Sequence, residues 1–382
     1  MSATAVERTE PLRIGVLGAA RIAENGIVTP ARLTGARLVV VAARDRRRAE
    51  TFAATSGVER VVDSYAEVVA DPEVEVVYNP LANGLHAPWN LAAIAAGKHV
   101  LTEKPFAADA DEAAEVADAA TAAGVVIVEG FHYLYHPVTR RLHELLASGV
   151  LGDLVRVEAT MIIPPPEPGD PRWSLPLAGG ALMDLGCYSL HAVRMLAPWG
   201  GGPPSLADLQ GVEREGLPGI DEWVDAELTF PSGATGLARC HMAGESRVMT
   251  YRIIGDRGEA TVANFVLPHL DDRLFVSTPD GDRVEKLGTR SSYTYQLAAV
   301  TARIRQGTSL PIDSDDAVQT MKLIDECYHR LGLSTRPRSA RVTARAPHLS
   351  EPSEVEYNSG NHQPSTCGSI SGSDGGHRHR AR

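Results

Sequence analysis

The chain has little cysteine: four residues (Cys187, Cys240, Cys327 and Cys367) in 382, with no C-x-x-C spacing. A disulfide framework and a zinc ribbon are therefore not expected, and a reducing compartment is. It has no basic excess, since 37 Lys and Arg stand against 48 Asp and Glu for a net charge of −11. That balance argues against a nucleic-acid partner, which needs a basic face. No apolar run approaches the length of a membrane span. The opening MSATAVERTEPLR lacks an apolar core, so no secretory signal is expected and the cytoplasm is the expected location. Aromatics are scarce at 5%, so packing must rest on Ala, Val and Leu.

What is present is a rhythm. Short apolar strands at 12–17, 37–43, 74–78, 99–101 and 125–128 alternate with Ala-rich helical stretches at 21–34, 45–56, 85–97 and 109–123. Gly97 and Gly124 stand where helix C-caps belong. Near-continuous Val and Leu strands imply burial on both faces, hence a parallel sheet covered by helices. The expected architecture for residues 1–134 is a doubly wound, Rossmann nucleotide-binding sheet.

After residue 135 the rhythm changes. A helix at 136–148 and a strand at 153–163 precede the proline-rich loop 164–171. A helix at 181–196 is followed by strands at 221–230, 233–243, 247–254, 259–263 and 273–277. Helices at 294–306 and 315–331 close the pattern. Residues 135–335 thus read as an α+β domain with a mostly antiparallel, open sheet. Residues 336–382 lose periodicity, and 358–382 are Ser/Gly/His/Arg-rich, the composition of a disordered tail.

Gly18-Ala19-Ala20-Arg21-Ile22-Ala23 follows the first strand and opens a helix, the place of a dinucleotide fingerprint. Gly18 permits the tight turn, while Ala20 and Ala23 replace the other two glycines; Gly18, Ala20, Arg21 and Ile22 are the expected phosphate contacts. The second strand ends at Ala43-Arg44, where an NAD-selective site carries a carboxylate for the ribose 2′-hydroxyl. A guanidinium there grips a 2′-phosphate instead, which predicts NADP(H) as cofactor. The fourth strand runs into Thr102-Glu103-Lys104-Pro105. Ligands in open α/β sheets sit at the carboxyl ends of strands, so Lys104 points toward the cofactor crevice and Glu103 toward ribose hydroxyls.

These motifs, together with Gly179-Gly180-Ala181-Leu182-Met183-Asp184-Leu185-Gly186-Cys187-Tyr188 and Ile254-Gly255-Asp256-Arg257-Gly258, resemble the Gfo/Idh/MocA oxidoreductases from about Leu12 to Leu333. The resemblance implies that Asn79, Pro80, Leu81, Asn83 and His86 also line the cofactor. Many members carry D-x-G-x-H-x-x-D with His as proton donor. Here Asp184 and Gly186 match, but Tyr188 holds the His place and His191 the second Asp place. The Tyr form is similar to the branch with dimeric dihydrodiol dehydrogenase, glucose–fructose oxidoreductase and deoxysugar ketoreductases. That branch implies a Lys104–Tyr188 acid/base pair and a homodimer that buries the open sheet, while Asp184 is expected to orient either the substrate hydroxyls or Lys104.

The residues support the same chemistry. Asp184, Tyr188 and His191 fall at i, i+4 and i+7, a polar helix face able to wall a pocket. A phenol can deliver a proton to a carbonyl oxygen as hydride arrives, and a nearby ammonium stabilises the growing charge. Phe131-His132-Tyr133-Leu134-Tyr135-His136-Pro137 follows the fifth strand and can line the crevice. His132 and His136 are four apart, but Pro137 argues against the helix a metal pair would need, and no metal is expected. Tyr133, His191, Arg172 and Trp173 are the expected substrate contacts, the last two because relatives place a Trp–Arg pair near the nicotinamide. Trp89 reads as packing and Cys187 as structural. The expected function is NADP(H)-dependent hydride transfer at a hydroxyl or carbonyl of a sugar, cyclic polyol or diol. Two alternatives stay open: a non-catalytic nucleotide- or sugar-sensing protein on this fold, and a lyase or hydrolase that redox-cycles bound NAD.

Overall fold

The structure, a computed structural model, describes residues 10–340. Six parallel strands form the first sheet: β1 (Arg13–Leu17), β2 (Arg37–Ala42), β3 (Arg60–Val61), β4 (Val76–Asn79), β5 (His99–Thr102) and β6 (Ile127–Glu129). Their order is β3-β2-β1-β4-β5-β6. Winding reverses between β1 and β4, which opens a crevice at the carboxyl ends of β1, β2, β4 and β5. β3 was not expected; two residues carry no periodicity.

Helices cover both faces, as the continuous burial of Val39, Val40 and Val41 requires. They are α1 (Thr29–Thr34), α2 (Arg46–Ser56), α3 (Tyr65–Ala70), α4 (His86–Ala95) and α5 (Ala110–Ala123). Their ends follow local chemistry. Asp45, Ser64 and Asp109 cap α2, α3 and α5 through side-chain oxygens that accept backbone N–H groups. Gly97 and Gly124 take positive φ just past α4 and α5. The segment after β1 enters α1 through a π-helical turn, Glu24–Val28.

The second sheet has eight strands: β7 (Leu154–Ile162), β8 (Ser205–Glu213), β9 (Asp221–Thr229), β10 (Thr235–His241), β11 (Val248–Gly255), β12 (Gly258–Val262), β13 (Arg273–Thr278) and β14 (Gly281–Lys286). The order is β14-β13-β12-β11-β7-β10-β9-β8, antiparallel throughout except for the parallel β7–β10 pair. The alternation along β7, β9 and β10 buries one face. The other carries cross-strand ion pairs such as Arg156–Glu227 at 3.1 Å and Arg252–Glu158 at 3.3 Å. The edge strands β8 and β14 were missed because solvated edges lack an apolar repeat.

Four more helices complete the fold: α6 (Pro137–Ala147), α7 (Cys187–Arg194), α8 (Ser292–Gln306) and α9 (Ser314–Arg330). The expected helix 181–196 is instead a π-helical turn, Leu182–Gly186, followed by α7. α8 returns to the first sheet, where Leu297 and Val300 share a core with Ile14, Val16 and Ile27. α9 reaches α5, whose Ala110 N–H donates to Asp325 at 2.8 Å.

The expected tail, 336–382, lies mostly outside the described residues, but its first residues are packed. Arg336 is 2% exposed, pairs with Asp221 and donates to the Gly219 carbonyl at 2.7 Å. Arg338 donates to Asp109 at 2.7 Å.

Candidate active site

The crevice is floored by the turn after β1. Gly18 adopts φ +83°, and its N–H donates to the Ala42 carbonyl at 2.7 Å, tying the loop to the end of β2. A Cβ there would meet Leu81 at 3.1 Å, so the bare backbone leaves the approach open. Ala20 and Ile22 lie in this turn, and the Arg21 side chain is 86% exposed. Arg44 is exposed just beyond β2. The next residue, Asp45, caps α2, accepting from Arg47 N at 2.8 Å. Arg48, whose role the sequence did not disclose, reaches back to the Ala19 carbonyl at 3.2 Å.

Lys104 follows β5 and crosses to the turn before α7. Its Nζ donates to the Asp184 carbonyl at 2.9 Å and to Asp184 Oδ1 at 3.1 Å. The same nitrogen lies 5.3 Å from the centre of the Tyr188 ring. Residues 80 apart thus meet at the carboxyl end of the first sheet. Burial works against the ammonium, but the Asp184 carboxylate, with Cys187 and Glu103, raises Lys104 to about 12. Burial pushes the Tyr188 phenol well above its ordinary value, so it is protonated at neutral pH.

A charged chain continues from Asp184. Arg172 Nη1 is 3.7 Å from Asp184 Oδ2 and forks onto Asp170, which accepts from Arg21 at 3.0 Å. Asp170, which sequence reading missed, therefore links the phosphate loop to the Lys104 site. Behind Tyr188, its hydroxyl meets His132 Nε2 at 2.9 Å, and His132 Nδ1 meets Ser292 Oγ at 2.8 Å. The 131–137 run had marked His132, but nothing in the sequence signals Ser292.

Several expected contacts are corrected. His191 and Tyr133 are fully buried and bonded to each other at 2.7 Å, and His191 Nε2 meets Asp316 at 2.8 Å. The single polar face expected of Asp184, Tyr188 and His191 is broken by the π-helical turn, and each faces a different partner. Trp173 is 5% exposed; its indole N–H donates to the Pro166 carbonyl and Arg214 stacks on its ring, so it packs the loop. Glu103 is engaged by the buried Tyr78 hydroxyl at 2.8 Å rather than turned to the crevice. Asn79 is buried and donates to the His86 carbonyl and Asn90. His86 bridges the Pro105 carbonyl at 2.7 Å and the Leu81 carbonyl at 2.9 Å, so both side chains brace the crevice loops. Pro80 is buried between them, while Asn83 donates to the Ala178 carbonyl at 3.1 Å. Among the described residues no group of three or more His, Cys, Asp or Glu is placed to hold a metal. No helix among them is long and apolar enough to cross a membrane.

Two family models match the chain: an oxidoreductase family with an NAD-binding Rossmann fold over residues 12–131, and the C-terminal domain of the same family over 139–261. The chain is 32% identical to D-xylose 1-dehydrogenase (NADP(+)) 2 of Haloferax volcanii, over 83% of this chain and 96% of that protein. It is 31% identical to a dTDP-3,4-didehydro-2,6-dideoxy-alpha-D-glucose 3-reductase of Streptomyces violaceoruber, over 80% and 89% of the two chains. The fold superimposes on a 3-ketoreductase from Actinomadura kijaniata solved with NADP and TDP-benzene, with a TM-score of 0.74 and 28% identity, over 85% of this chain and 98% of that one. With its Rossmann sheet, its open antiparallel sheet and a Lys-Pro turn facing an Asp-x-Gly-x-Tyr helix, the chain belongs to the Gfo/Idh/MocA family of oxidoreductases.

Proposed function

We propose that the protein moves hydride between NADP(H) and a hydroxyl or carbonyl carbon of a sugar, cyclic polyol or diol, with Lys104 and Tyr188 handling the proton. The observation that carries this reading is the meeting of Lys104, Asp184 and Tyr188 at the crevice mouth. The turn at Gly18 and the exposed Arg21 and Arg44 suit a dinucleotide with a 2′-phosphate, and Asp45 is engaged in capping α2. When bound, the nicotinamide supplies or takes the hydride; the protein manages position and charge.

In the reducing direction, the Lys104 ammonium stabilises charge growing on the carbonyl oxygen, and Tyr188 delivers its proton there. Asp184 holds Lys104 by two hydrogen bonds and so aims it. Arg172 and Asp170 connect that anchor to Arg21 of the phosphate loop, which gives the loop 164–173 a path to both cofactor and substrate. The sugar-like substrates of the relatives named above support the substrate class.

The test is NADPH oxidation and NADP+ reduction against ketosugars, aldoses including D-xylose, and cyclic diols. Tyr188→Phe and Lys104→Met should each lower turnover at least about a hundredfold, the scale of a lost acid/base group. NADPH binding without turnover across the panel would replace this reading with a sensing role. The outward face of the second sheet, with Val155, Phe275 and Val284 exposed, is the proposed homodimer face. Light scattering should give twice the chain mass, and a monomer at micromolar concentration would exclude that face as a stable interface.

A further inference from the structure

The Tyr188 hydroxyl meets His132 as well as lying beside Lys104. His132 is fully buried, its Nε2 is 2.9 Å from the Tyr188 hydroxyl, and its Nδ1 is 2.8 Å from Ser292 Oγ. The ring cannot turn away easily. It stacks on Tyr293 with centres 3.7 Å apart and packs at its edge against Tyr188. Ser292 is also fully buried and opens α8, far along the chain from His132. The line Tyr188–His132–Ser292 therefore joins three separate elements at fixed hydrogen-bond distances.

We infer that His132 is a positioning residue that donates Nε2–H to the Tyr188 oxygen, its tautomer held by the Ser292 hydroxyl donating to Nδ1. This rests on Tyr188 as the proton donor of the proposed function. A neutral imidazole has one N–H and one acceptor nitrogen, so its two partners must take opposite roles. If His132 accepted from Tyr188, the phenol proton would point away from the substrate. With His132 donating, the phenol hydrogen is free to face the substrate oxygen. In reduction the O–H bond of Tyr188 breaks as a new O–H bond forms on the substrate alkoxide. The phenolate left behind is then bonded to both the imidazole N–H and the ammonium field, until it regains a proton from solvent. In oxidation the same phenolate takes the alcohol proton.

The surroundings favour a neutral ring. Burial, with Lys104, His269 and His136 facing it, holds His132 well below the ordinary histidine range. Tyr188 itself faces Tyr293, Glu103, Cys187 and Asp184, and burial pushes it upward. A buried phenol is a weak base in the oxidising direction unless its anion is met by donors. His132 and Lys104 supply two.

The test uses full-length protein labelled with ¹⁵N-histidine, with and without NADP+, so that the tautomer is read without any substrate. His132 should be in the Nε2–H form near neutral pH, and Ser292→Ala should weaken that preference. The Nδ1–H form in the wild type would overturn the inference. In turnover on the best substrate of the panel, His132→Phe should lower kcat at least about tenfold, the scale of one hydrogen bond to a charged group. KM and NADP+ affinity should stay within about threefold, and the alkaline rise of kcat in oxidation should move up by about one pH unit. His132→Gln, whose amide can donate, should recover part of both effects and serves if the Phe variant does not fold. An unchanged pH profile in both His132 variants would reduce His132 to packing. A wild type without turnover would remove the proposed function, and leaves the tautomer to be judged alone.

Discussion

At the scale of single residues, the site is a set of charges whose partners decide their work. Arg44 and Asp45 are neighbours at the end of β2, where Asp45 caps α2 and Arg44 is exposed. Arg44→Ala should therefore lower the preference for NADPH over NADH at least about tenfold, read from the two dissociation constants, because one charge-assisted contact is lost. An unchanged ratio would shift that duty to Arg48 or Arg21. The meeting of Lys104 with the Asp184–Tyr188 segment was legible as a placement, because residues after parallel strands face the crevice in a doubly wound sheet. His191 and Tyr133, expected at the substrate, are held in the core for a physical reason. Polarity along a helix suggests a wet face, but here the polar atoms satisfy one another inside the core through Asp316.

At the scale of elements, the two π-helical turns are the least legible parts of the chain. One follows β1 and the other precedes α7, so both open onto the crevice. The first is shaped by Gly26, where a Cβ would lie 2.2 Å from the Tyr78 hydroxyl. Tyr78 in turn holds Glu103, the residue before Lys104. Gly26→Ala should cost roughly 1–3 kcal/mol through overpacking, visible as a lowered thermal midpoint. It should also lower turnover more than Gly35→Ala, a strained positive-φ change at the C-cap of α1 on the amino side of β2. Equal effects of the two would deny that the Gly26–Tyr78–Glu103 contact positions Lys104. The buried strands β1, β2, β4, β5 and β6 were readable from continuous apolar runs. β8 and β14 were not, since edge strands meet water on one side and lose the repeat that reveals the others.

At the scale of the whole molecule, stability is tied to neutral buried histidines. Burial lowers His136 to about 4 and His143 to about 4. His136 Nδ1 accepts from Val138 N at 3.1 Å, a cap that a proton would destroy. Between pH 4 and 6.5 the unfolded chain binds these protons and the folded chain does not, so stability falls as pH falls through that window. Urea midpoints should decline between pH 7 and 4.5 by an amount worth roughly 5 kcal/mol from these two rings. A flat profile would mean that these rings titrate normally. Asp316, lowered to about 2 despite burial by His191 and Arg194, adds a further loss only below pH 4.

Arg336, beyond α9, is bound into the fold where the sequence rhythm fades. Its guanidinium lies against the Tyr328 ring and pairs with Asp221, whose other oxygen accepts from Leu182 N at 2.6 Å, the first residue of the π-helical turn that presents Asp184. Gly180 is glycine at the same spot because a Cβ would lie 2.0 Å from Asp221 Oδ1. A boundary drawn where periodicity fades would sever this clasp and leave Asp221 without its counter-ion beneath the turn that presents Asp184. A shortened chain that keeps Asp184 where it meets Lys104 has to run past Arg336, because that side chain clasps the turn from which Asp184 projects.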